Sequence, residues 1–259
     1  CLVKGAINEP ARFSLYPRAR EVYSSEAVMI PLRDTIPSSS FPAVTVGLIV
    51  INTLIFLYQT NLGAGEERFV LHYGFVPLVY GHASHVDSWN LSARFGPMFS
   101  SMFLHGGWLH LIGNMWTLWI FGDNVEDRLG KGRFLLYYLV SGLAAVYLHY
   151  LTEPTSGLPV IGASGAIAGI MGAYFVLYPH SRVLTLIPLI IFWEIIELPA
   201  IFLLGFWFLM QLFSAGAIAA TAHSQSGGVA FMAHVAGFVA GLIGVFVFRK
   251  RRRPDAWWA

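Results

Sequence analysis

The sequence predicts an all-α polytopic membrane protein with six transmembrane helices. Three observations carry that expectation. Of the 259 residues, 56% are hydrophobic and only 12% charged, and the mean hydropathy is +0.62. Soluble domains carry roughly 25% charged residues, so a chain this poor in charge cannot cover its own surface in water. Six apolar stretches reach or approach the ~20 residues that a bilayer crossing requires. Finally, the basic residues fall almost entirely on one side of the membrane that these stretches define.

Taken in order, the first span is 43–60 (AVTVGLIVINTLIFLYQT), the second 102–121 (MFLHGGWLHLIGNMWTLWIF) and the third 134–151 (FLLYYLVSGLAAVYLHYL). The fourth is 163–178. Residues 183–216 are apolar for too long to be one crossing and contain Pro188 and Pro199. Proline suits the first turn of a helix, so the fifth span is placed from Pro199. Residues 183–198, with Glu194 and Glu197, are expected to be an interfacial or re-entrant piece. The sixth span is 229–248 (VAFMAHVAGFVAGLIGVFVF), stopped by RKRRR.

With six crossings and the N-terminus inside, the inner segments hold Lys4, Arg12, Arg18, Arg20, Arg33, Arg128, Lys131, Arg133, Arg182 and the run Arg249 to Arg253, which makes 14 of the 16 Lys and Arg. Only Arg68 and Arg94 fall outside, the asymmetry that the positive-inside rule demands. The expected organisation is a cytoplasmic arm (1–42), a membrane domain (43–248) and a basic cytoplasmic tail (249–259). Beside a span, RKRRR reads as an anchor to anionic lipid, so no nucleic-acid partner is expected. Residues 1–40 contain no apolar signal core, and Cys1 stands where a start methionine is expected. With no organelle transit signal visible, the arrangement fits a bacterial plasma membrane. The single cysteine excludes an internal disulfide.

Polar side chains at membrane depth are costly and by default functional. The spans offer His105, His110, Asn114, Ser164 and His234, besides Ser, Thr and Asn that can bond back to their own helices. The second, fourth and sixth helices run the same way through the bilayer, so His110, Ser164 and His234 share one depth near the outer surface. Ser164 opens the run IGASGAIAGIMGAY. Alone, such a serine is usually one more small packing residue. However, Gly162, Gly165 and Gly169 around it, and Gly237 and Gly241 on the stripe that follows His234, permit close backbone approach. That approach would let the short serine reach an imidazole for general-base activation. His110 and Asn114, one turn apart, share a face. With the Ser164 amide at a helix start, they could hold an oxyanion. His105, nearly 140° around the same helix, is expected to be a structural donor.

These residues resemble a known family, the rhomboid intramembrane serine proteases. The resemblance covers residues 43–248 and rests on HGGWLHLIGNM (105–115), VEDRLGKGRF (125–134), GASG (162–165) and AHVAGFVAG (233–241). It implies a six-helix rhomboid-like bundle in which Ser164 is similar to the nucleophile and His234 to its general base. His110 and Asn114 then match the oxyanion-hole pair. The family uses a Ser–His dyad without a third acid, and needs no metal or cofactor. The implied substrates are transmembrane proteins, cut in or near their membrane segments, with the site opening to the outer side. The alternative is a catalytically silent rhomboid-like protein that binds transmembrane helices. The oligomeric state is not legible.

The remaining expectations concern connections. Glu126, Asp127, Arg128 and Gly130 are expected to lock the turn between the second and third helices. The aromatic-rich external loop 61–98 is expected to rest in the interfacial belt. Residues 214–228 are expected to form a lid, with His223 as a solvated loop histidine.

Overall fold

The computed structural model describes residues 29–86, 91–189, 192–221 and 230–249. Six helices occupy the expected spans: α1 (Ala43–Asn61), α5 (Trp108–Leu129), α6 (Lys131–Thr152), α7 (Ser164–Leu177), α8 (Ala200–Thr221) and α9 (Phe231–Phe248). Four stretches, Ala43–Asn61, Lys131–Thr152, Ala200–Ala217 and Phe231–Phe248, are long and apolar enough to cross a membrane by length and composition. Between α1 and α5 lie the short helices α2 (Glu66–Tyr73), α3 (Pro77–Val86) and α4 (Leu91–Ser100), so the external loop is largely helical.

Helix α7 is the hub. Residues Gly165 to Tyr174 are all buried, and α7 packs on α5, α6, α8 and α9. Fourteen residues make it about 21 Å long at 1.5 Å per residue, well short of a hydrocarbon core of about 30 Å. The glycines set how closely its neighbours approach. A Cβ on Gly237 or Gly241 would collide with the backbone carbonyls of Gly165 and Gly169, and one on Gly165 or Gly169 with the side chains of Ala145 and Ser141. Two helices thus rest on opposite sides of one small-residue stripe. The Tyr137 hydroxyl, from α6, lies 2.9 Å from the Gly169 carbonyl and 2.8 Å from that of Gly241, and its proton is shared between them.

Four findings revise the expected connections. Helix α5 begins at Trp108, not near residue 102, so His105 lies in the preceding loop rather than on the helix of His110. The apolar stretch 183–198 is a β-hairpin of β2 (Arg182–Leu189) and β3 (Phe192–Pro199), paired antiparallel with Arg182 opposite Pro199 and Leu189 opposite Phe192. A third strand, β1 (Ile30–Asp34), adds to β2 antiparallel, in the sheet order β1-β2-β3. β1 belongs to the stretch expected to be a soluble arm, yet it runs along α5. The indole N–H of Trp116 donates to the Pro31 carbonyl at 2.7 Å, and the Asn124 amide donates to Asp34 at 2.7 Å. Helix α8 continues to Thr221, so the first half of the expected lid is helix. Residues 222–228, with His223, and tail residues 250–259 lie outside the described residues.

Glu126, Asp127 and Gly130 divide the work differently from the expected turn lock. Buried Glu126 accepts hydrogen bonds from the backbone N–H groups of Val44 and Thr45, at 3.1 and 2.8 Å, and from the Thr45 hydroxyl at 2.8 Å. It therefore caps the N-terminus of α1, where unpaired N–H groups and the helix dipole favour a negative charge. Asp127 accepts from Ser39 and Ser40. Gly130, at φ 83°, makes the turn itself, in a region open to glycine at little cost.

Candidate active site

Ser164 is the first residue of α7, His110 the third of α5 and His234 the fourth of α9. Each enters the site from a helix start. The distance from His234 Nε2 to Ser164 Oγ is 2.8 Å, within the range for proton transfer.

The second pair converges on the residue before the GASG serine turn. Gly162 has φ 124°, and a Cβ built on it would sit 2.7 Å from His110 Nε2 and 3.6 Å from Asn114 Nδ2. Glycine is therefore needed twice over, for its backbone conformation and for the space that two polar side chains occupy. The Gly106 N–H donates to His110 Nδ1 at 3.3 Å. In the neutral ring this leaves the proton on Nε2, the nitrogen that faces Gly162. Asn114 Nδ2 is buried and has no hydrogen-bond partner among the described residues. A buried, unspent donor normally costs about 1–3 kcal/mol, and this one lines the same cavity as Ser164. The Ser164 amide belongs to the first-turn N–H groups that a helix cannot pair internally.

Together these side chains line a cavity of about 1480 Å³. Helices α5 and α8 both pack on α7, and both border the cavity, which extends from His110, Asn114, Ser164 and His234 toward Met29 and Pro31 at β1. That volume exceeds the roughly 300–1,000 Å³ of ordinary small-ligand pockets.

His105 stays outside the constellation. It is buried, its backbone N–H and C=O both pair with the Gln59 amide (3.3 and 2.7 Å), and its ring meets those of Phe56 and His110 edge-on. Glu194 and Glu197 are exposed on β3. Sequence reading passed over Gln211, whose Oε1 lies 2.7 Å from His234 Nδ1. Its signal was the one amide in the apolar run AIFLLGFWFLMQLF.

Residues 92–251 match the family model described as the Rhomboid domain, which is more than half of the chain. The chain belongs to the Rhomboid family, and is a multi-pass membrane protein of the lipid bilayer. It is 39% identical over 92 residues to the protein named "Putative rhomboid protease YdcA" of Bacillus subtilis (strain 168), covering 34% of this chain and 46% of that one. It is 32% identical over 99 residues to Presenilin-associated rhomboid-like protein A, mitochondrial, of Danio rerio, covering 37% and 26%. It is 38% identical over 76 residues to RHOMBOID-like protein 5 of Arabidopsis thaliana, covering 29% and 25%. The matched segments thus span less than half of each relative's length.

Proposed function

We propose that the protein is an intramembrane serine endopeptidase that hydrolyses peptide bonds in or near transmembrane segments of membrane proteins, by a Ser164–His234 dyad. The observation that carries this reading is the 2.8 Å contact between Ser164 Oγ and His234 Nε2, set beside a buried donor with no partner of its own. Membership of the family and the relative named as a rhomboid protease support the same reading.

The substrate must unwind locally, because the carbonyls of a helical backbone are already hydrogen-bonded. The Ser164 hydroxyl proton passes to His234 Nε2 as Oγ bonds to the scissile carbonyl carbon. The resulting oxyanion lies between His110 Nε2–H, Asn114 Nδ2–H and the Ser164 amide, donors fixed before the charge develops. His234 then gives its proton to the leaving amine as the C–N bond breaks. Water, deprotonated by His234, cleaves the ester and regenerates the serine. We place the N- and C-termini in the cytoplasm of a cell with the protein in its plasma membrane, and the site opening to the outer side, on the distribution of Lys and Arg.

A protein that only bound transmembrane helices would have no use for an activated serine. The test is labelling by a fluorescent fluorophosphonate in lipid vesicles. Wild type should label, and Ser164→Ala and His234→Ala should not. Folded wild type labelling no faster than Ser164→Ala, with a second inhibitor chemistry equally silent, would return the protein to the binding-only reading.

A further inference from the structure

We infer that Gln211 is a positioning residue of the dyad, a neutral third member that holds His234 in the one tautomer and orientation in which it can act as a base. The inference rests on the serine-protease reading above and names how that site is tuned.

A general-base imidazole must present an unprotonated nitrogen to the serine hydroxyl. An isolated neutral histidine can carry its proton on either nitrogen, and it can also turn about its side-chain bonds. The tautomer is set by whatever the other nitrogen bonds. Here the other nitrogen, Nδ1, faces Gln211 Oε1 at 2.7 Å. A carboxamide oxygen only accepts, so Nδ1 carries the proton and the Nε2 lone pair is directed at Ser164 Oγ, 2.8 Å away. The same bond persists when Nε2 takes the serine proton, because Nδ1–H is present in both states. Gln211 therefore holds the ring through the whole cycle without itself changing protonation.

Helix α8 grips the ring twice. Trp207, one turn before Gln211 and on the same face, has its ring centroid 6.0 Å from that of His234, with an interplanar angle of 34°. The nucleophile comes from α7, the base from α9 and the ring clamp from α8, so the alignment of Ser164 and His234 depends on three helices rather than two. The choice of an amide over a carboxylate has a physical reason. An ionised carboxylate at this depth carries a heavy desolvation cost, whereas an amide supplies the acceptor with no net charge. The Gln211 hydrogen bond thus does the orienting work of a triad acid and leaves aside its electrostatic work.

The experiment uses the full chain in lipid vesicles, with Gln211→Leu removing the acceptor at similar size and Gln211→Glu restoring a carbonyl acceptor. The readouts are fluorophosphonate labelling rate, thermal midpoint, and ¹⁵N chemical shifts of His234. We expect the wild-type shifts to place the proton on Nδ1. Gln211→Leu should label roughly 10²-fold more slowly, the lower end of what general-base catalysis supplies, with its midpoint unchanged and an Nε2–H signal appearing. Gln211→Glu, which keeps an acceptor oxygen, should retain most of the wild-type rate at a lowered midpoint, because its carboxylate carries that desolvation cost. Should Gln211→Leu label at the wild-type rate, or should the wild-type proton lie on Nε2, Gln211 has no positioning role. Should wild type fail to label at all, the protease reading fails, and the ¹⁵N shifts still decide whether Gln211 sets the tautomer. Should Gln211→Leu not fold, the wild-type shifts decide: a proton on Nε2 ends the proposal, and a proton on Nδ1 upholds it.

Discussion

The two ends of the α5–α7 pair are built from polar side chains, yet they spend them in opposite ways. At the Glu126 end the polar groups are carboxylates with their bonds filled. Glu126 takes three hydrogen bonds from the start of α1, Asp127 takes those of Ser39 and Ser40, and Asp34 accepts from Tyr174 and Asn124 at 2.6 and 2.7 Å. At the Ser164 end the groups are neutral, His110, Asn114, Ser164, Gln211 and His234, and Asn114 keeps an unspent donor. Filled carboxylates tie chain segments together, whereas on the proposed protease reading the preorganised neutral donors serve a charge that develops only in the reaction. The difference teaches where stability and chemistry separate in this molecule.

That separation is breakable by experiment. The largest effect belongs to Asn114→Ala. Losing one oxyanion donor should slow fluorophosphonate labelling by about 10²–10³-fold, or about 2.7–4 kcal/mol. The thermal midpoint should hold or rise, because a buried unpaired donor goes with it. A drop in midpoint that matched the drop in rate would make Asn114 structural. Next comes Gly237→Ala, which places a methyl against the Gly165 carbonyl. Overpacking of this kind costs about 1–3 kcal/mol, and by prying α9 from α7 it should lower both midpoint and labelling. Unchanged labelling would mean that the contact between Ser164 and His234 does not depend on this helix spacing.

At the other end, Glu126→Ala should do the reverse of Asn114→Ala. It strands the Val44 and Thr45 donors at a cost of about 1–3 kcal/mol, so the midpoint should fall while labelling measured well below it stays at the wild-type rate. A slowed rate with an intact midpoint would join the two ends functionally and undo the contrast.

The smallest effect is the pH response of Asp34. Burial, more than the neighbouring Asp123 charge, raises its carboxyl from 3.8 to about 6, against the lowering influence of the Tyr174 hydroxyl. The folded state therefore binds the proton more tightly than the unfolded state. The stabilisation is fully present below about pH 3.8 and is lost as pH rises through about 6. β1 should accordingly dock more firmly at pH 5 than at pH 7.5. Asp34 is half-exposed, so the effect is screened. The check is the midpoint of wild type minus that of Asp34→Asn, which should fall across that interval; a flat difference would remove Asp34 as the titrating group.

Much of this molecule was legible before any coordinates. Charge poverty, six apolar stretches and the basic-residue distribution follow from what a bilayer tolerates, and that constraint acts on composition directly. The expectation that His110, Ser164 and His234 share one depth rests on the common direction of the second, fourth and sixth spans, and the glycine stripes told which helices come close. Other features were not legible, each for a physical reason. The hairpin 182–199 hid in a continuous apolar run, because such a run looks the same in a buried helix and a buried strand. Apolar density continues through Met102 to Leu104, which form a separate 3-10 turn and its exit, so the sequence alone extends α5 back to residue 102 and carries His105 onto it. Glu126 was assigned to the nearest turn, although its partners are 81 and 82 residues away in sequence.

What the sequence alone determined is the solvent of this protein, its all-α polytopic class and the polar residue types available near its helix starts, since these depend on composition and on distance along the chain. What only the tertiary structure decided is which atoms meet: Nε2 with Oγ, Nδ1 with a glutamine one helix away, and two donors across the Cα of Gly162. Those meetings depend on the rotation and spacing of helices distant in sequence, fixed by glycine contacts and caps that reach across the whole chain.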